Sequence, residues 1–146
     1  MVELNLPPFE YRIKKTDEKV FIYDDIRKKF VVLTPEEWVR QHFVHYMIAH
    51  LHYPRALINI ETGLSYNTLR KRSDVVLYDR SGKPWMIVEC KAPHHKVGPM
   101  AVQQVSVYNK TIRARYIVVT NGLTTVCGFI DHDNHTTEVL DRMPSY

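Results

Sequence analysis

The residues best able to do chemistry are Asp74, Glu89 and Lys91, in the order D-x14-E-x-K. Glu89 and Lys91 are two positions apart, so on a strand they share a face. Asp74 opens one apolar run and Glu89 closes the next. If those runs pair antiparallel, Asp74 returns opposite Glu89 and Lys91. Two carboxylates form a hard oxygen site suited to Mg²⁺ or Mn²⁺, and the main-chain carbonyl of Cys90 adds a further ligand. Such an ion lowers the pKa of bound water and neutralises charge on a scissile phosphate. Lys91 then orients or deprotonates the attacking water, or stabilises the developing charge. The E-x-K triplet alone is common and says little. Its weight comes from the Asp-opened strand before it and the helix after it.

The elements that must position these groups are legible as periodicities. Residues 75–78 and 85–88 (VVLY and WMIV) are strands, joined by a turn at residues 79–84. Gly82 supplies positive φ there and Pro84 stiffens the exit. Thr34 opens a helix: it is a good N-cap, Pro35 suits the first helical position, and Glu37 completes a capping box. Val39, Phe43, Met47 and Leu51 recur every four residues, with Tyr46 beside them, as a core-facing stripe. His42, His45, His50 and His52 lack an H-E-x-x-H pattern and read as surface or interface histidines. Arg40 either approaches a phosphate or pairs with Glu36 or Glu37.

Further strands are expected at residues 19–23, 30–33, 56–61, 115–120, 125–130 and 137–140, and a second helix from residue 100 to about residue 109. Gln104 and Tyr108 share a face of that helix. Residues 92–99 are a loop in which His94 and His95 read as exposed. Asp131, His132, Asp133 and His135 form an Asp/Asn turn rather than a metal site. Arg70, Lys71 and Arg72, just upstream of Asp74, are either a solvated strand edge or phosphate contacts. Residues 1–18, interrupted by Pro7 and Pro8, read as an extended arm.

The 146 residues suffice for one domain with a core, spanning residues 1–146. The net charge is +4 and the pI about 9.1, which suits an anionic partner. Two cysteines without C-x-x-C spacing imply no disulfide framework and fit a cytoplasmic setting. No apolar run is long enough for a membrane span. The elements together give an α/β fold, a central mixed β-sheet flanked by α-helices.

The stretch from Asp74 to Lys91 resembles the PD-(D/E)xK nuclease core, with Ser73 where the superfamily name has proline. More of the chain resembles the N-terminal domain of type I restriction enzyme R proteins. The residues carrying this are YDDIRKKF at 23–30, LTPEEWVR at 33–40, Tyr53-Pro54, KRSD at 71–74, VECKAP at 88–93 and Thr120-Asn121-Gly122. The resemblance implies a restriction-endonuclease-like core and a Mg²⁺- or Mn²⁺-dependent endonuclease acting on double-stranded DNA. It implies that Gln104 reaches the metal site and Tyr108 the DNA or its supporting shell, by a Q-x-x-x-Y pattern. It also opens a second role for Glu37, as an acidic helix residue joining the metal, beside the preferred capping role. The DNA-facing set is then Arg40, Arg70, Lys71, Arg72 and Tyr108. No G-x-x-x-x-G-K-[ST] motif is present, so translocation and site choice are expected from a separate motor or specificity protein, with homodimerisation a further option. The competing reading is an inactive nucleic-acid-binding or interaction module on the same fold.

Overall fold

A computed structural model describes residues 1–60 and 75–146. Strands β1 (Ile13–Lys15), β2 (Val20–Asp24) and β3 (Lys29–Val32) form a small antiparallel sheet of their own. Helix α1 (Pro35–Ala49) follows. The main sheet is then built from β4 (Ile58–Ile60), β5 (Val75–Tyr78), β6 (Pro84–Cys90), β7 (Tyr116–Thr120), β8 (Thr125–Asp131) and β9 (Thr136–Leu140), with α2 (Ala101–Ile112) between β6 and β7. The six strands lie in sequence order, β4-β5-β6-β7-β8-β9. The β6–β7 pair is parallel and its neighbours are antiparallel. A parallel pair needs a crossover, and α2 is that crossover.

Alternation along the strands sorts the core into two layers. Val75, Leu77, Met86, Val88, Cys90, Val118 and Cys127 join one cluster with Val39, Phe43 and Met47 of α1. Val76, Ile87, Ile117 and Val119 join the other, with Val102 and Val105 of α2. Each fully buried side chain of this size contributes about 1.5–3 kcal/mol. The two helices therefore cover opposite faces of one mixed sheet, the α/β arrangement expected from the sequence. Burial pushes the Cys127 thiol up to about 12, so it stays protonated at neutral pH.

The β5–β6 turn has the expected chemistry. Gly82 adopts φ +85°. Asp79 Oδ1 accepts hydrogen bonds from Ser81 N, Ser81 Oγ and Lys83 N, at 2.9, 2.7 and 3.0 Å.

Three expectations about the elements need revising. The capping box of α1 is half built. Thr34 Oγ1 accepts from Glu37 N at 3.0 Å, but the Thr34 N–H donates to the Val32 carbonyl at 3.2 Å. The Glu37 carboxylate is taken elsewhere. Residues 55–57 form a 3₁₀ turn, so the strand expected from residue 56 begins only at Ile58. The arm at residues 1–18 contains β1 and is tied down. Trp38 Nε1 donates to the Val2 carbonyl at 2.8 Å, and Asn5 N donates to the Gly122 carbonyl at 2.8 Å. Leu4 seats against Gly122, where an added Cβ would lie 2.8 Å from Leu4 Cδ2 at a φ of +83°. Only glycine fits both the positive φ and the close approach.

Helix α2 crosses β8 at Gly128, where an added Cβ would lie 2.6 Å from Val102 Cγ1. Gly128→Ala is therefore expected to overpack this layer and cost about 1–3 kcal/mol. The check is the urea midpoint at unchanged m-value. An unshifted midpoint would mean that α2 yields freely.

Candidate nuclease cleft

Strand β6 carries the site because its alternation changes character at its end. Ile87 faces the α2 layer and Val88 the α1 layer. Glu89 follows on the α2 side, and Lys91 repeats that side two residues on. Both line a cleft of about 120 Å³, with Lys96, Val97, Ala101, Gln104, Val105 and Val119. Lys91 Nζ lies 3.5 Å from Glu89 Oε2. The glutamate side chain is 18% exposed and the lysine 41%, so the pair sits at the mouth with its carboxylate turned inward. The backbone holds it there: Lys91 N donates to the Thr120 carbonyl at 2.8 Å, carrying the parallel ladder one residue past β6. Cys90, between them, turns its thiol into the α1 layer.

Gln104 reaches the cleft from the first turn of α2, where its N–H bonds the Met100 carbonyl at 3.1 Å. Tyr108 lies one turn on in the same helix. Asp74, Arg70, Lys71 and Arg72 lie outside the described residues. The ladder beside Asp74 is nonetheless defined. Val75, the residue after it, pairs with Val88, the residue before Glu89. Among the described residues, which exclude Asp74, no three His, Cys, Asp or Glu side chains are grouped to hold an ion.

Glu37 and Arg40 are placed elsewhere, and here the expectation is corrected. Arg40 is not a surface cation awaiting phosphate. It is 3% exposed, with Nη1 on Glu37 Oε1 and Nη2 on Glu36 Oε2, both at 2.7 Å. The alternative anticipated for it, pairing along its own helix, is the one observed. Glu37 Oε2 accepts from Arg27 Nη2 and Gln41 Nε2, each at 2.9 Å. Both carboxylate oxygens are thus engaged in this network, and Glu37 does not line the cleft.

Asp24 completes the network. It accepts the Ile26 and Arg27 amides at 2.8 and 2.9 Å, Gln41 Nε2 at 3.1 Å, and the Arg27 guanidinium. Burial pushes its pKa up, but the backbone and side-chain hydrogen bonds from Arg27 outweigh this and hold the carboxyl below its ordinary value.

The histidines divide. His42 is buried, with Nδ1 2.9 Å from the Trp38 carbonyl, and burial lowers its pKa. His45 stacks on Phe9 at 4.1 Å and lies 3.6 Å from Asp25; burial lowers it too. His94 and His95 are exposed. Asp131 Oδ1 accepts from Asp133 N and Asn134 N, the Asp-led turn expected there.

Lys96 is the cleft residue that sequence reasoning missed. A lysine in a Pro- and Gly-bounded loop gives no periodic signal. It joins the cleft lining only because the loop folds back beside β6.

The type I restriction enzyme R protein N terminus family matches residues 35–144. A solved fragment described as an HsdR subunit of a type I restriction enzyme from Vibrio vulnificus YJ016 is 24% identical, with a TM-score of 0.39. The match covers 60% of this chain, which spans 16% of that one. No curated protein matches.

Proposed function

The chain belongs to the family of type I restriction enzyme R protein N-terminal domains, and on that premise we propose that it is a metal-dependent endonuclease module acting on DNA. The observation that carries the reading is the convergence of Glu89, Lys91 and Gln104 on one cleft, from two different elements. A carboxylate, an amine and an amide at the rim of a sheet suit phosphodiester hydrolysis. They have no evident packing role there, since the core alternation ends at Cys90.

In this reading Asp74 and Glu89 are the carboxylates that hold Mg²⁺ or Mn²⁺, with the Cys90 main-chain carbonyl as a third oxygen. The donor set fits a hard cation, being oxygen throughout. When bound, the ion supplies Lewis-acid activation of water and charge neutralisation at the phosphate. Lys91, held beside Glu89, orients the attacking water as an ammonium or takes its proton as the neutral amine. Gln104 donates its amide N–H to a phosphate oxygen or a water in the cleft. Arg70, Lys71, Arg72 and Tyr108 extend contact along the DNA. Arg40 and Glu37 take no part, because the ion-pair network occupies them. Motor and specificity proteins of a type I system are the partners that suit such a module.

The test is cleavage of supercoiled, linear duplex and single-stranded DNA, and of RNA, with Mg²⁺ or Mn²⁺ against EDTA. Nicking or linearisation of duplex DNA with metal, absent in EDTA, is the expected result. Binding without cleavage under every metal condition would instead favour an inactive module on this fold.

A further inference from the structure

The turn between β7 and β8 is built around one side chain. Asn121 is 5% exposed. Its Oδ1 accepts from Leu123 N at 2.9 Å and Thr124 N at 2.7 Å, closing the turn on itself. Thr120 Oγ1 accepts from Gly122 N at 3.0 Å. The amide's other end leaves the turn: Nδ2 donates to the His95 carbonyl at 2.7 Å. One planar amide therefore fixes the turn with its acceptor and the loop after β6 with its donor. The loop adds a bond of its own, His95 N to the Ala92 carbonyl at 3.0 Å. The next residue along is Lys96, which lines the cleft with Glu89 and Lys91.

Among the described residues, the charged groups in that lining are one carboxylate, Glu89, and two ammonium groups, Lys91 and Lys96. Lys91 lies 3.5 Å from Glu89 and offsets it. Lys96 is exposed and makes no ion pair among the described residues, so its ammonium is available to an anion at the cleft.

We propose that Lys96 holds a backbone phosphate of the nucleic acid bound over Glu89, and that Asn121 is its positioning residue, acting through the His95 carbonyl. This rests on the nuclease reading for the identity of the anion. Asn is required at 121 because Asp keeps the acceptor that closes the turn but sets a carboxylate oxygen against the His95 carbonyl. Ala loses both functions.

The experiment is equilibrium binding of a short DNA duplex to the full chain, by fluorescence anisotropy across a salt series, without divalent cation. A single phosphate contact contributes about 0.9 to the slope of log K against log salt. Lys96→Ala is expected to lower the slope by about that amount and Lys96→Arg to retain it. Asn121→Asp should reproduce much of the loss while the urea midpoint stays near wild type. In the Lys96→Ala background, Asn121→Asp should add little, since its effect runs through Lys96. An unchanged slope in Lys96→Ala, or no duplex binding by the wild type, overturns the phosphate contact. A full Asn121→Asp effect in the double variant overturns the positioning role, because a plain charge or folding effect would persist there. Duplex that binds with the expected slopes but is never cleaved with metal sinks the nuclease reading and leaves Lys96 standing. Duplex that is cleaved while Lys96→Ala keeps the wild-type slope sinks Lys96 alone.

Discussion

Lys91→Ala is expected to retain divalent-cation binding and to lose cleavage by about 10²–10³-fold or more, the range seen when a positioned proton-transfer or charge-stabilising group is removed. The two effects separate because of what Lys91 touches. Its ammonium sits 3.5 Å from Glu89 Oε2. Removing that positive charge leaves the glutamate more available to a cation, so affinity should hold or rise. Glu89→Gln should do the reverse, removing the inward-turned carboxylate and with it both cation binding and cleavage. Calorimetric titration with Mn²⁺, run beside the cleavage assay on both variants, provides the check. Near-wild-type turnover in Lys91→Ala, or unaltered cation affinity in Glu89→Gln, would remove these residues from the proposed chemistry. Folding should be little affected in either variant, since both side chains lie at the mouth of the cleft.

The second large effect belongs to the network between the small sheet and α1. Arg27 bonds Asp24 on one side and Glu37 on the other. Arg27→Ala would leave Asp24, 1% exposed, with no guanidinium, and Glu37 with Arg40 and Gln41 alone. Breaking a buried pair from one side costs about 3–5 kcal/mol, a large fraction of a domain's stability. The pH dependence has a definite sign. In the wild type the folded pKa of Asp24 is depressed by Arg27 against burial. Its stabilisation is present above the unfolded carboxyl value, near 3.9, and is lost as pH falls through the lower folded value. In the variant, burial is left with less to oppose it, and the folded pKa rises. The stability gap between the proteins should therefore narrow as pH drops from 6 toward 3. Urea unfolding of both across that range reads it directly, and a gap that stays constant would detach Asp24 from the network's energetics.

What the sequence revealed follows from how local each signal is. The β5–β6 hairpin was legible because its apolar runs and its Asp-to-Pro turn lie within a few residues of each other. The start of α1 was legible from Thr34 and Pro35, and its buried stripe from Val39, Phe43 and Met47, all fully buried. Glu37 was ambiguous for a physical reason. Its competing partner, Arg27, is supplied by a turn ten residues upstream, and nothing in the helix announces it. His42 also misled, as a polar residue on a buried face. Its ring is accommodated because the Trp38 carbonyl and the Phe9 and Trp38 rings surround it. The separation of β1–β3 into their own sheet could not be read from strand patterns, which show alternation but not which edge a strand joins.

The parallel β6–β7 pair has a consequence for how the cleft comes into being. On either side of it the sheet is a meander, β4-β5-β6 and β7-β8-β9, made of antiparallel neighbours in sequence order. The β5–β6, β7–β8 and β8–β9 hairpins close short loops. The seam between the halves closes only when the whole crossover through α2 is in place, and such non-local pairing is the slow part of assembling a sheet. Glu89 and Lys91 stand on one side of the seam; Val119 and Gln104 stand on the other side or on the crossover itself. Neither meander contains the cleft, so any partly folded chain that has formed its hairpins but not its seam is without the site. The cleft is thus acquired with the closing of the sheet, and local opening along the Lys91–Thr120 hydrogen bond would dissolve it while leaving both meanders intact.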